Sequence, residues 1–350
     1  MGFDRWNKAL VASLCIPMPQ ICESHALINQ AHLTVLELDG RFSEQAKPLH
    51  KVLYEQYAAL TLKEGLNASV DQVHPNAQAI AASGRRWLDK NVDDTMRCDI
   101  LTQRVALDPL DQQGMPLTLR IRLFDSGISP LYYVQVIQQT AFNEGAGPSL
   151  NKPWRLPIAE AIVVVQNTLT PMSQKRLHGL IHQGRLRLTS GLGIGNVCVI
   201  SSAGAFIALE AEQGVVDVLA LSHEVGHALA VEQQWHQGNY WPDEVVKSEA
   251  AAIATECHVL DKSLYPKHYC DDRKQALHQF YGPWHLALHR FELGLYGMAN
   301  ISPKTLDHLW QECTHMFGAE TDGWKYIQHY YTSPFYLICY PLALEKVFDR

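Results

Sequence analysis

The sequence predicts a predominantly α-helical protein of the α+β class, and three observations predict it. Most of the chain beyond residue 150 reads as helix. Around residue 120 the apolar period falls from helical to two. A short apolar run, Ala205–Ala211, is bounded by Gly204 and Gly214 and reads as a strand just before the longest helical pattern.

In chain order, residues 1 to about 95 look mainly helical, with residues 43–66 the clearest amphipathic segment. Leu117, Leu119, Ile121 and Leu123 alternate with Thr118, Arg120 and Arg122, which predicts a half-buried strand. Residues 98–108 and 131–140 are its expected partners in a three-stranded antiparallel meander. Turn residues lie at 108–114 and 125–130. The Gly/Pro-rich stretch 145–153 sets an expected boundary between an N-terminal region, 1–150, and a second domain, 151–350.

The second domain carries the chemistry. Within the apolar run Val215–Ala230 stands His223-Glu224-Val225-Gly226-His227, an H-E-x-x-H motif. On a helix, residues four apart share one face, so His223 and His227 can hold one metal ion between them. Glu224 then sits where it can reach a water on that metal, as the general base of a zinc hydrolase acting on amide bonds. Zinc in such sites takes three protein ligands and leaves one position open. Trp241-Pro242-Asp243-Glu244 is a good helix start, and Glu249 and Glu256 lie seven apart on the helix it opens. Glu249 reads as the third ligand, with Glu244 as its rival on another face. Glu256 reads as a carboxylate that orients one histidine. Ala250, Ala251, Ala252 and Ala254 would let a neighbouring helix come close. His285, His289 and Glu292 imitate a second metal site, but position 286 is Leu, so an amphipathic helix with polar histidines is the better reading.

Composition bounds the rest. The 350 residues carry a net charge of −7, with 47% hydrophobic and 19% charged residues. That is the profile of a globular enzyme, and it argues against nucleic acid as the main partner. No apolar run is long enough to span a bilayer. The eight cysteines form no C-x-x-C pair, so they read as reduced thiols of a cytoplasmic protein.

Three blocks resemble the thimet oligopeptidase and oligoendopeptidase F family of zinc peptidases. The first runs from Asp217 through His223-Glu224-Val225-Gly226-His227-Ala228. The second is Ser248-Glu249-Ala250-Ala251-Ala252-Ile253-Ala254-Thr255-Glu256. The third holds His329 and the stretch from Pro334-Phe335-Tyr336 to Tyr340, with Phe291-Glu292 between the second and third. The chain is shorter than members of that family usually are. The resemblance implies a mostly helical fold around a deep cleft and one Zn²⁺ per chain. It also implies a short peptide substrate that pairs with an edge strand, here through Phe206, Ala208 and Glu210. His329, Tyr336 and Tyr340 become candidate donors to the oxyanion. Tyr330 and Tyr331 read as core. Two other functions stay open: a dedicated hydrolase for one peptide-like metabolite or precursor, and a non-enzymatic zinc-binding protein. An intact Glu224 speaks against the last.

Overall fold

A computed structural model describes residues 93–108, 110–111, 114–139, 154–189, 196–201, 204–236, 245–327, 329–332 and 334–348. The expected amphipathic segment 43–66 and the turn-rich stretch 145–153 lie outside them. The described chain is predominantly helical, as the sequence predicts.

It begins with three helices, α1 (Asp94–Leu107), α2 (Leu117–Asp125) and α3 (Pro130–Gln139). The expected meander is therefore corrected: all three of its segments are helical. In α2 the buried Leu119 and Leu123 are four apart, while Arg120 is exposed. Leucines at every second position contain that i, i+4 pair, and tertiary packing selects it over the alternation. The turns stand where they were expected. Gly114 and Gly127 adopt positive φ there, at 79° and 63°.

Two small sheets follow. β1 (Arg155–Pro157) pairs antiparallel with β5 (Val215–Asp217), and helices α4 (Ile158–Thr168) and α5 (Pro171–His182) follow β1 in the chain. The other sheet has the order β2-β4-β3, with β2 (Leu186–Thr189) parallel and β3 (Val197–Ser201) antiparallel to β4 (Gly204–Glu210). The predicted strand at Ala205–Ala211 is thus β4, and it is the central strand, not an edge. Both of its sides are taken, so Phe206, Ala208 and Glu210 cannot offer their backbone to an added strand. Among the described residues the edges are β2 and β3.

β5 runs straight into α6 (Val218–His236). Asp217 starts this helix, its Oδ1 accepting the Leu219 amide at 2.8 Å. Val218, Leu221, Val225 and Ala228 form its buried face. α6 packs on α7 (Val245–Lys262), which in turn packs on the C-terminal helix α12 (Cys339–Phe348). A Cβ at Gly226 would lie 2.7 Å from the Ala252 Cα and 3.0 Å from the Ala251 carbonyl. The glycine of H-E-V-G-H and the small residues of α7 are thus two halves of one close helix contact. Gly226→Ala is expected to destabilise the fold by about 1–3 kcal/mol by overpacking, even though alanine is the better helix former by about 1 kcal/mol. Thermal melting checks this.

α8 (Lys267–Gln279) continues through a π-helical turn, Phe280–Trp284, into α9 (His285–Gly294). The His285 amide bonds to the Phe280 carbonyl, five residues back, and Pro283 lies inside the turn. His285, Leu286, Ala287, Leu288, His289, Phe291 and Glu292 are all buried, so α9 is a core helix rather than the expected amphipathic one. α10 (Pro303–Thr314) opens with a Ser302–Thr305 capping box, and the short α11 (His329–Thr332) precedes α12.

Candidate metal centre

α6 and α7 bring His223, His227 and Glu249 together, with one possible ligand atom of each within 4.8 Å of the others. His223 Nε2 lies 3.1 Å from His227 Nε2 and 3.3 Å from Glu249 Oε2. The outer nitrogens are engaged. His223 Nδ1 donates to Glu256 Oε1 at 2.7 Å, and His227 Nδ1 lies 2.8 Å from Ser248 Oγ. With Nδ1 protonated on each ring, both Nε2 atoms turn lone pairs toward one point. Glu249 Oε2 is buried there with no hydrogen-bond partner. Two imidazole lone pairs and an orphaned carboxylate oxygen suit a zinc ion, which takes N and O ligands in this number when one position stays open.

The electrostatics fit that demand for positive charge. Burial pushes Glu249 up, but the His227 and His223 rings and the Tyr336 hydroxyl outweigh it and hold the carboxyl at about 2. Burial disfavours a proton on His223, yet the Glu249 and Glu256 carboxylates facing it raise it well above the usual histidine range. Burial and the nearby His223 leave His227 at about 4. Glu224 is raised to about 7, by burial first and then by Glu249 and Glu256, against the pull of His223 and of the Cys198 amide.

Two residues that sequence reasoning missed support the histidines. Ser248 precedes Glu249 on α7 and meets His227. Tyr281, in the π turn, donates to Glu256 Oε1 at 2.7 Å, and its ring stacks 5.9 Å from that of His223. The signal for Tyr281 was Pro283 two positions on, which breaks the helical pattern that would place the tyrosine.

The C-terminal block lies against the same centre. The Tyr336 hydroxyl donates to Glu249 Oε1 at 2.5 Å. The His329 ring stacks on Tyr336 at 4.9 Å with an interplanar angle of 6°. Tyr340 lies against His285 at 4.3 Å and Tyr281 at 5.5 Å. Burial and then the charges of Glu249 and Glu224 raise its hydroxyl well above the usual range. Phe335, just before Tyr336, has φ of 56°, a conformation that costs about 1–3 kcal/mol in a bulky residue. Tyr330 is fully buried, its hydroxyl bonded to the Leu288 carbonyl at 2.8 Å.

Other sequence candidates separate. His285 bonds to the Phe280 carbonyl, His289 meets the Tyr133 hydroxyl at 2.9 Å, and Glu292 pairs with Arg104. These three face different partners. Glu244 lies outside the described residues. Phe206, Ala208 and Glu210 stay on the central strand. The Cys198 amide of edge strand β3, in contrast, reaches the Glu224 carboxylate.

No family model and no curated protein matches the chain by sequence. Among solved structures, PZ peptidase A with inhibitor 2 matches over 99% of this chain and 86% of its own, at 14% identity and a TM-score of 0.57. A protein assigned as an oligoendopeptidase F from Bacillus anthracis str. Ames matches over 99% and 85%, at 12% identity and a TM-score of 0.45. At these identities the likeness is one of fold, and this chain has a fold similar to that of PZ peptidase A.

Proposed function

We propose that this chain is a zinc-dependent peptidase that hydrolyses peptide bonds of short peptides. The observation that carries the reading is the convergence of His223, His227 and the orphaned Glu249 Oε2 beside the buried Glu224. His223, His227 and Glu249 would hold the metal, Glu256 with Tyr281 would orient His223, and Ser248 would orient His227. Bound zinc lowers the pKa of a water to about 7 and polarises the substrate carbonyl.

Glu224 would accept a proton from an attacking water at its carboxylate and deliver it to the leaving amine. A carboxyl poised near neutrality can do both. The Tyr336 hydroxyl is engaged on Glu249, so it positions a ligand. Among the described residues no hydrogen-bond partner holds the Tyr340 hydroxyl, and its ring lies against those of Tyr281 and Tyr336, which contact Glu256 and Glu249. Tyr340 is therefore the better donor to the oxyanion, with His329 beside Tyr336 as a substrate contact. Tyr340→Phe should lower kcat about 10²–10³-fold with little change in KM, and steady-state kinetics on a cleaved peptide checks it.

Substrate backbone would pair with β3. Among the described residues β3 is an edge strand, while β4 is paired on both sides, its Ile207 amide bonded to the Arg185 carbonyl on the β2 side. That edge meets Glu224, where the scissile bond must lie. Such pairing supplies affinity without demanding particular side chains.

Incubating the zinc-loaded protein with a library of short peptides tests the function. Cleavage of many sequences is the expected outcome. A single narrow product set would indicate the dedicated hydrolase, and no cleavage with zinc fully bound would reject the peptidase reading.

A further inference from the structure

The first described helices hold the C-terminal segment from two sides. Arg104 of α1 is buried. Its Nη1 donates to the Tyr330 carbonyl at 2.9 Å, and its Nη2 pairs with Glu292 Oε1 at 2.5 Å. The same Glu292 oxygen accepts the Phe335 amide at 2.7 Å. The Arg104 guanidinium also lies 5.1 Å from the centre of the Phe335 ring. On either side of Phe335, Arg122 of α2 donates from Nε to the Pro334 carbonyl at 3.1 Å, and its guanidinium lies 5.5 Å over the Tyr336 ring. Three consecutive residues, Pro334, Phe335 and Tyr336, are thus gripped by two arginines and a carboxylate. The middle one is held at a positive φ that a phenylalanine rarely adopts.

We propose that Arg104, Glu292 and Arg122 are positioning residues that fix this turn and thereby set the Tyr336 hydroxyl on Glu249. The inference rests on the reading of Glu249 as a zinc ligand and gives the N-terminal helices a part in the site. The logic is geometric. A bulky residue with positive φ relaxes unless its surroundings over-determine it. Here the Glu292 carboxylate fixes its amide, and Arg104 neutralises a carboxylate that could not otherwise stay charged in the core. Released, the turn would swing the Tyr336 ring, and Glu249 would lose the bond that orients it. Groups that orient a metal ligand typically affect metal affinity or activity by about 10–100-fold.

The test uses the full chain and Arg122→Met. The substitution keeps much of the aliphatic stem at a half-buried site and removes both the donor to Pro334 and the cation over Tyr336. It is made in the wild type and in Tyr336→Phe. Zinc affinity is measured by competition with a chromophoric chelator, and kcat and KM on a cleaved peptide. The expected result is a fall of about tenfold or more in zinc affinity and kcat. KM and melting temperature stay near wild type, and Tyr336→Phe shows no further loss when Arg122→Met is added. An unchanged zinc affinity and kcat overturns the proposal, and so does a loss of equal size in the Tyr336→Phe background, because the arginine would not be acting through the tyrosine.

Arg104→Lys supplies a measurement without turnover. Lysine keeps the charge but not the fork that bonds two partners at once, so the amides of residues 335–340 should exchange hydrogen at least about tenfold faster. Unchanged exchange counts against the pin. A wild-type protein that binds zinc but cleaves nothing rejects the peptidase reading alone, and the zinc-affinity comparison still decides this one. Should the wild type take no zinc, the exchange measurement decides it.

Discussion

Glu224→Gln is expected to abolish turnover while leaving zinc and fold in place. The amide has the shape of the carboxyl but cannot accept the water's proton, and a positioned general base typically contributes about 10²–10⁴ in rate. Glu224 is buried yet is not one of the three groups that could hold a metal, so zinc content should stay near one per chain. Replacing the raised carboxyl of Glu224 by a neutral amide removes a buried charge, so the melting temperature should hold or rise. Single-turnover kinetics with metal analysis on the same sample makes the check. Hydrolysis near the wild-type rate would remove Glu224 from the mechanism, and loss of zinc together with activity would make its role structural.

Glu249→Ala is the second large effect. It removes the only carboxylate among the three converging groups and leaves two imidazoles facing each other 3.1 Å apart. Zinc affinity should fall by more than the roughly 100-fold upper range for groups that merely orient ligands. The Tyr336 hydroxyl would lose its acceptor, a buried unmet bond costing about 1–3 kcal/mol. Metal analysis after mild chelation reads the first consequence and thermal melting the second. If Glu249→Ala keeps zinc as tightly as wild type while Glu244→Ala loses it, the third ligand is Glu244.

The parts of this site that were readable in the sequence are those written in helical spacing. His223 and His227 share a face because they are four apart, and Glu249 and Glu256 because they are seven apart on one uninterrupted helix. The small residues of α7 told of a close neighbour, and Gly226 is that neighbour's contact. What could not be read depends on pairing across the chain. Ala205–Ala211 has the composition of a buried strand, but being buried does not say whether one or both sides are paired. β3 carries the edge instead, and its own sequence, Val-Cys-Val-Ile-Ser, differs little from that of a central strand. The α2 leucines satisfy a strand pattern and a helix pattern at once, and only the core beneath them chooses. Ser248 and Tyr281 hold histidines on another helix, a relation that no local spacing records.

The π turn at Phe280–Trp284 fixes a length. It accommodates one residue more than an α-helix would over the same rise, and each residue turns the chain by about 100°. Deleting one residue there would restore a regular ladder and rotate everything downstream by that angle relative to α8. Tyr281, on one side of the turn, must meet Glu256, and Glu292, eleven residues later, must meet Arg104 and the Phe335 amide. Both appointments can be kept only at the present residue count. The segment from Tyr281 to Glu292 is therefore a ruler between the candidate metal centre and the C-terminal turn. Surface loops elsewhere can gain or lose residues, whereas a single insertion or deletion within this ruler would put the two halves of the site out of phase.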